Sequence, residues 1–325
     1  MDWPTAVAPG DVRALGRWRG AVGPARVGNA DPGRLPSDRG SRPLLTVAAW
    51  NASVGAGAIR ALWDHLCGGH GVMAGPTVLL LQEVFATGPH LPAPTSSVVW
   101  ARRIAGVPES EPRTDIVSFA RAAGLSLVYV PSMRNGGPNE GAPEDRGGAI
   151  LANVPLASPR AIELPFERQR RVAVAASVTL ADHTIDLCSV HLENRAPWGR
   201  AWRGLGSGRR RQMAALLTVF PSARADTSVL GGDFNTWVGG RRESAYRLAR
   251  ERFPLPTQPD PRPTHHFEIG GRLRHSDHLM FRLPPGWPGD CRRLNDTFGS
   301  DHYPLLGTAG PHGASREQES RRSKP

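Results

Sequence analysis

Short apolar runs separated by polar turns make up most of the chain between residues 43 and 309. Runs rich in Val, Leu, Ile and Ala predict strands at Leu44–Trp50, Val78–Leu81, Leu125–Val130, Ala149–Ala152, Val172–Leu180, Thr184–Leu192, Thr227–Leu230 and His278–Arg282. Helical spacing of apolar residues predicts helices at Ala58–Cys67, Asp115–Ala123 and Arg210–Phe220. Because strands follow strands and helices are inserted singly, an α+β layered sandwich is favoured over a repeated βαβ sheet.

The two ends of the chain lack this periodicity. Residues 1–42 are rich in Pro, Gly, Arg and Asp, and residues 310–325 are almost wholly polar. Such compositions cannot bury enough apolar surface to order a segment, so both ends are predicted to be disordered. No repeat and no shift in composition divides residues 43–309, which are therefore predicted to form a single domain.

Several of the predicted strands end in a carboxylate, an amide or an imidazole. The residues that follow a strand in this way are Asn51, Glu83, His191, Asp233 and Asn235. Asp277 instead precedes an apolar run, and Asp301 and His302 open another. Polar groups at the ends of buried strands gather at one rim of a sheet, where active sites are often built.

Each of these residues has an ordinary structural explanation when taken alone. An Asn after a strand is commonly a turn residue, and His191 could simply end its strand. The run Gly231-Gly232-Asp233-Phe234-Asn235 is more specific, because its glycines permit close backbone approach and Asp233 and Asn235 point to the same side. The order of all the motifs along the chain is harder to obtain by chance than any one motif alone.

This order resembles the signature of the endonuclease/exonuclease/phosphatase (deoxyribonuclease I-like) superfamily over residues 43–307. The run Arg146-Gly147-Gly148-Ala149-Ile150-Leu151 is also similar to a strand of that family, although Gly148 replaces an Asn often found there. The resemblance implies a four-layer α/β/β/α sandwich, in which two packed, mainly antiparallel sheets carry outer helices.

The resemblance also implies roles for the polar residues. Glu83 would be the principal ligand of Mg²⁺, or of Mn²⁺, with Asn51 and Asp301 close by. Asp233 would orient or deprotonate the attacking water, and Asn235 would hold that water or a phosphate oxygen. Asp277 would position His302, which would donate to the phosphoryl oxygens or to the leaving group, and His191 would be a second donor.

A second group of residues is predicted to contact the substrate. Its members are Arg171, Trp198, Arg200, Trp202 and Arg209, most of them in a segment that alternates aromatic rings with cations after His191. Such a segment suits nucleic acid, because bases stack on aromatic rings and phosphates pair with arginine, but a lipid headgroup surface or a solvated connection fits equally. His265, His266 and His275 precede Asp277, where a solvated loop or a substrate contact is possible.

The overall composition and charge indicate less about function than the motifs do. The formal charge of +11 favours an acidic partner, yet Lys324 is the only lysine, so part of the arginine excess is explained by a GC-rich coding bias. Cys67, Cys188 and Cys291 are widely spaced and odd in number, which indicates a reducing compartment. With neither a leader nor an apolar run of membrane-spanning length, the chain is predicted to be a cytoplasmic monomer.

Three functions remain open on the sequence alone. A nucleic-acid phosphodiesterase is favoured, a phosphatase or phospholipase acting on inositol phosphates or sphingomyelin is the alternative, and a non-catalytic nucleic-acid-binding protein is the third. No tyrosine lies between residues 130 and 245, which argues against an abasic-site endonuclease.

Overall fold

The structure is a computed structural model, and it describes residues 1–4, 7, 9–30, 44–68, 75–92, 100–101, 113–135, 144–180, 182–194, 206–222, 227–236, 239–269 and 272–311. The helices are α1 (Val12–Arg19), α2 (Ile59–Leu66), α3 (Ile116–Ala123), α4 (Ser207–Val219) and α5 (Ser244–Arg252).

The larger of the two main sheets has eight strands: β1 (Arg26–Gly28), β2 (Leu45–Asn51), β3 (Thr77–Thr87), β4 (Trp100–Ala101), β5 (Ser126–Asn135), β6 (Glu144–Ala152), β14 (Gly289–Arg293) and β15 (Leu305–Ala309). Their order is β1-β5-β6-β3-β2-β15-β14, and β4 pairs with β5. The β2–β3 and β4–β5 pairs are parallel and the others are antiparallel.

The smaller main sheet has five strands: β7 (Ala157–Glu163), β8 (Val172–Leu180), β9 (His183–His191), β10 (Thr227–Asp233) and β13 (Asp277–Arg282). Their order is β13-β10-β9-β8-β7, with β9 and β10 parallel. A separate hairpin is formed by β11 (His265–Ile269) and β12 (Arg272–Arg274).

The two main sheets pack face to face, and helices cover their outer faces. Alternate residues of β2 face opposite sides of the larger sheet. Val47 and Ala49 lie in the core between the sheets, whereas Ala48 and Trp50 lie in the core beneath α2 and α3. A third core joins the smaller sheet to α4 and α5. The predicted four-layer α/β/β/α sandwich is therefore confirmed.

The central strands β2, β3, β5, β8, β9 and β10 are buried on both faces, which explains why their sequences are largely apolar. The predicted strands are present, but several are longer than predicted, as in β3 and β5. The sequence prediction missed α1, α5, β1, β4, β7, β11, β12, β14 and β15, most of which are short or carry charged side chains.

Part of the N-terminal segment differs from the prediction of disorder. Helix α1 buries Leu15 and Trp18, three residues apart on one face, and Trp18 packs on Phe166 with ring centroids 6.2 Å apart. Strand β1 then adds to the edge of the larger sheet beside β5. Two apolar residues at helical spacing in an arginine-rich segment therefore form its buried face. Residues 31–43 and 312–325 lie outside the described part of the chain.

Within the described residues, none of the helices is both long enough and apolar enough to span a membrane.

Candidate active site

Three of the predicted residues stand side by side across the smaller sheet. Asp233 ends β10, where it pairs with His191 at the end of β9 and with Asp277 at the start of β13. All three lie on neighbouring strands, at the same end of those strands. The strand register therefore fixes a row of imidazole, carboxylate and carboxylate.

The larger sheet brings Asn51 and Glu83 to the same place. Asn51 ends β2, and its Nδ2 donates a 3.1 Å hydrogen bond to Oδ2 of Asp233 in the other sheet. The Nε2 of His191 lies 3.4 Å from the same Asp233 oxygen, and its Nδ1 lies 3.8 Å from Oε1 of Glu83. Residues of both sheets therefore line one cleft.

Glu83 reaches the cleft because β3 contains a bulge. Leu81 pairs with Ala149 and Val84 with Gly147, so β3 carries one extra residue at this point, and Glu83 has a positive φ of 54°. In a regular strand Glu83 would face the opposite side from Gln82, whose Nε2 donates to Ser189 of the smaller sheet. A bulge re-aims a side chain in this way.

Two glycines allow close packing beside Asp233, Gly231 against the larger sheet and Gly232 against strand β9 of its own sheet. A Cβ at Gly231 would lie 2.9 Å from the Cβ of Ala49 and from Leu80 in the larger sheet. A Cβ at Gly232 would lie 2.0 Å from the carbonyl oxygen of Val190, and its φ of 143° is also unfavourable for other residues. The pair of glycines in the sequence motif is thus a packing requirement.

His302 enters from the loop before β15 and is held from two sides. Its Nδ1 lies 2.8 Å from Oδ2 of Asp277, and its carbonyl oxygen accepts a 3.0 Å hydrogen bond from Nε1 of Trp50. Ser276 Oγ donates to the same Asp277 oxygen at 3.0 Å. The ring orientation is therefore fixed, with Nε2 directed away from Asp277.

The surroundings of Asp233 and His302 give these two side chains different pKa values, so that one suits a base and the other an acid. Burial and the carboxylate of Asp277 raise the pKa of Asp233 to about 7, against the opposing effect of His302. Burial alone would disfavour a charged His302, but Asp277, Asp233 and Asp301 raise the pKa of His302 to about 10. Near neutral pH His302 holds a proton to donate, and Asp233 is poised to accept one.

His191 behaves differently from His302. Burial lowers the pKa of His191 well below its usual range, and the positive charges of Arg171, Arg146 and His302 lower it further. A neutral His191 can donate from one ring nitrogen and accept at the other.

Asn235 positions Asp233. Its backbone N–H donates a 2.8 Å hydrogen bond to Oδ1 of Asp233, and its Nδ2 donates at 2.9 Å to the carbonyl oxygen of Leu192. A positive φ of 53° at Asn235 produces this turn.

Oxygen donors that suit a hard divalent cation lie at Glu83 and Asn51. The Glu83 carboxylate is 11% exposed, and its oxygens lie 3.6 Å from Nη1 of Arg146 and 3.8 Å from Nδ1 of His191. These contacts are longer than hydrogen bonds, so they leave the carboxylate able to take a cation. Carboxylate and amide oxygens are the donor set that Mg²⁺ prefers.

The predicted third ligand, Asp301, lies beside His302 and His265. Its carboxylate is half exposed and lies 3.5 Å from Nε2 of His265 and 3.8 Å from Nε2 of His302. Burial opposes ionisation, but His265, His302 and Ser53 together hold the pKa of Asp301 well below its usual range.

The predicted substrate residues have different outcomes. Arg171 is buried beside Arg146, Glu83 and His191 at the cleft. The predicted substrate contact of Arg209 is corrected. Its guanidinium is buried and forms a 2.9 Å ion pair with Glu243, and this pair joins α4 to the start of α5. Trp198, Arg200 and Trp202 lie outside the described residues.

The sequence prediction gave no role to Arg146 and left His265 open. Arg146 immediately precedes Gly147, where a Cβ would lie 2.0 Å from the carbonyl oxygen of Val130. The pair of glycines directly after Arg146 was the feature of the sequence that could have indicated a role for this arginine.

The endonuclease/exonuclease/phosphatase family model matches residues 28–302, and the chain belongs to this family. Membership supports hydrolysis of a phosphate ester. No curated protein matches the sequence.

Solved structures share the fold at low sequence identity. An endonuclease/exonuclease/phosphatase from Beutenbergia cavernae aligns with a TM-score of 0.57 and 17% identity, over 84% of this chain and 73% of that one. A family protein from Leptotrichia buccalis gives a TM-score of 0.53 and 12% identity, over 81% and 98%. A humanised D. rerio TDP2 with 14 mutations gives 0.50 and 16%, over 82% and 99%.

Proposed function

We propose that the protein is a divalent-metal-dependent phosphodiesterase that hydrolyses nucleic acid with an activated water. One observation carries the proposal: His191 lies 3.8 Å from Glu83 of one sheet and 3.4 Å from Asp233 of the other. A cation-binding carboxylate and a general base therefore share one cleft with the Asp277–His302 pair.

Each side chain supplies one requirement of attack on an anionic phosphate. Asp233, with its raised pKa, accepts the proton of the attacking water, and Asn51 and Asn235 hold its two oxygens in place. His302 donates from Nε2 to a phosphoryl oxygen or to the leaving group, while Asp277 fixes its tautomer. His191 is a neutral donor to the phosphate.

Glu83 and Asn51 would hold a magnesium or manganese ion, with Glu83 as the main ligand. When bound, such an ion adds positive charge beside the phosphoryl oxygens and offsets the charge that develops on them.

Two buried arginines support a polyanionic substrate. Arg146 and Arg171 flank Glu83 and His191, and Nε of Arg171 is buried without a hydrogen-bond partner among the described residues. The same pair also suits a phosphate monoester, which carries up to two charges. A phosphatase or phospholipase is therefore the second candidate, and the nuclease is favoured by the net charge of +11.

The experiment is a substrate panel with the EDTA-stripped full chain, to which Mg²⁺ or Mn²⁺ is added back. The panel contains plasmid DNA, single-stranded RNA, bis(p-nitrophenyl) phosphate, p-nitrophenyl phosphate, inositol phosphates and sphingomyelin. We expect metal-dependent cleavage of the diesters and at least about a 10²-fold loss for Asp233→Ala and for His302→Ala, since each removes a proton-transfer group.

Retained circular dichroism spectra in both variants would show that the loss is chemical. Near-parental rates in either variant would overturn the assignment of the base and the acid. Faster turnover of a monoester than of a diester would indicate a phosphatase. Binding of DNA without cleavage of any substrate would indicate a binding protein without catalytic activity.

A further inference from the structure

His265 lies against the acid of the proposed reaction, although the proposed mechanism does not use it. It begins β11 and forms a backbone bridge with His302. On either side, Tyr303 N–H donates to the carbonyl oxygen of Thr264 at 2.8 Å, and His266 N–H donates to that of Asp301 at 2.9 Å. The backbone thus fixes His265 beside residues 301–303.

Three side chains converge at this position. The rings of His265 and His302 meet edge to face with centroids 4.3 Å apart. The Asp301 carboxylate lies 3.5 Å from Nε2 of His265 and 3.8 Å from Nε2 of His302. One ligand atom from each residue falls within 4.8 Å of the other two, a spacing that small side-chain rotations would close around an ion.

The environment of the group suits ligation. Asp277 accepts from Nδ1 of His302 and leaves Nε2 facing Asp301, which is how a carboxylate commonly orients a metal-binding histidine. A metal ion that binds Nε2 replaces the proton that this nitrogen carries near neutral pH, and the proton is released to solvent. The Asp301 and His265 side chains are 50% and 20% exposed, so an ion can reach them from solvent. His302 itself is buried, which favours a partly dehydrated ion.

The donor set differs in kind from that of Glu83. Two imidazole nitrogens and one carboxylate oxygen suit zinc and similar transition metals, whereas magnesium prefers oxygen alone. We propose that His265, Asp301 and His302 form a second, zinc-selective site, and that zinc bound there inhibits the enzyme by occupying Nε2 of His302.

The binding part of this proposal stands on geometry alone, and the inhibition part rests on the proposed function. Occupation of Nε2 removes the donor that would otherwise reach the phosphate. The magnesium position at Glu83 is left intact, so the inhibition should persist when magnesium is saturating.

The first test measures binding of the metal alone. EDTA-stripped full chain is titrated with Co²⁺, whose visible absorption reports nitrogen ligation, and Zn²⁺ is then used to displace it. His265→Asn and Asp301→Asn should each weaken Zn²⁺ binding by at least about tenfold, because each removes a ligand. His266→Asn is the matched control, because His266 is exposed and stacks on Tyr303.

The second test measures activity at saturating Mg²⁺ against increasing Zn²⁺. His265→Asn should keep the parental rate without zinc and need at least about tenfold more zinc for half inhibition, whereas His266→Asn should match the parent. Thermal melts of all variants identify any that fail to fold.

Unchanged Co²⁺ spectra and zinc affinity in a folded His265→Asn or Asp301→Asn protein would overturn the site. Weakened binding with unchanged zinc inhibition would overturn the inhibitory role. If every substrate is inert, the binding titration still decides the site, so failure of the proposed function is separable from failure of this inference.

Discussion

Asp233 and His302 show how neighbours, more than residue type, set chemical roles. Both are buried, and burial disfavours the charged form of each. Carboxylates around His302 outweigh its burial and keep it protonated, while Asp277 adds to the effect of burial on Asp233. One carboxylate, Asp277, therefore supports the acid and the base together.

This arrangement predicts a bell-shaped dependence of kcat/KM on pH. Activity should rise as Asp233 loses its proton near pH 7 and fall as His302 loses its proton near pH 10, because the proposed mechanism uses the Asp233 carboxylate as base and the His302 imidazolium as acid. Asp277→Asn removes the charge that raises the pKa of His302, so the alkaline limb should move to lower pH by about 1–3 units.

The measurement is kcat/KM for bis(p-nitrophenyl) phosphate across pH, with Asp290→Asn, at an exposed position of β14, as the control. An alkaline limb at the parental position in Asp277→Asn would contradict the coupling of these two residues.

At the scale of elements, the bulge in β3 and the glycines of β10 do most to build the site. Without the extra residue in β3, Glu83 would face the helix layer, and a side chain at Gly232 would collide with β9. Helix α1 is one of the elements that the sequence did not predict. Its buried face contains Leu15 and Trp18, whereas Val12 is 57% exposed.

The docking of α1 can be tested through stability. Leu15→Ala should lower the free energy of unfolding by about 2–5 kcal/mol, because it leaves a cavity under the helix. Val12→Ala, on the same helix, should change the free energy by no more than about 0.5 kcal/mol. The measurement is urea unfolding of the full chain, and equal effects of the two substitutions would show that α1 is not packed.

The sequence predicted the sandwich and most of the strands around the site because these strands are continuously apolar and buried on both faces. It also predicted which polar residues would follow them. The bulge at Glu83, the grouping of Asp301 with His265 and the ion pair of Arg209 were not predictable, since each depends on contacts between residues far apart in the chain. Short strands such as the edge strand β14 and its neighbour β15 lacked a local pattern strong enough to predict them.

At the scale of the whole molecule, the sandwich matters because neither sheet carries the site alone. The smaller sheet supplies His191, Asp233 and Asp277, and the larger sheet supplies Asn51 and Glu83. The central claim is that these two sets act as a single hydrolytic centre, in which loss of one member disables the others.

The most direct measurement is a double-mutant cycle with Glu83→Gln and Asp233→Asn, using kcat/KM for bis(p-nitrophenyl) phosphate at saturating Mg²⁺. Groups that act as one unit show strongly non-additive losses. We predict that the double variant is no slower than the slower single variant. Losses that multiply across the two substitutions, or a near-parental rate in either single variant, would contradict a shared centre.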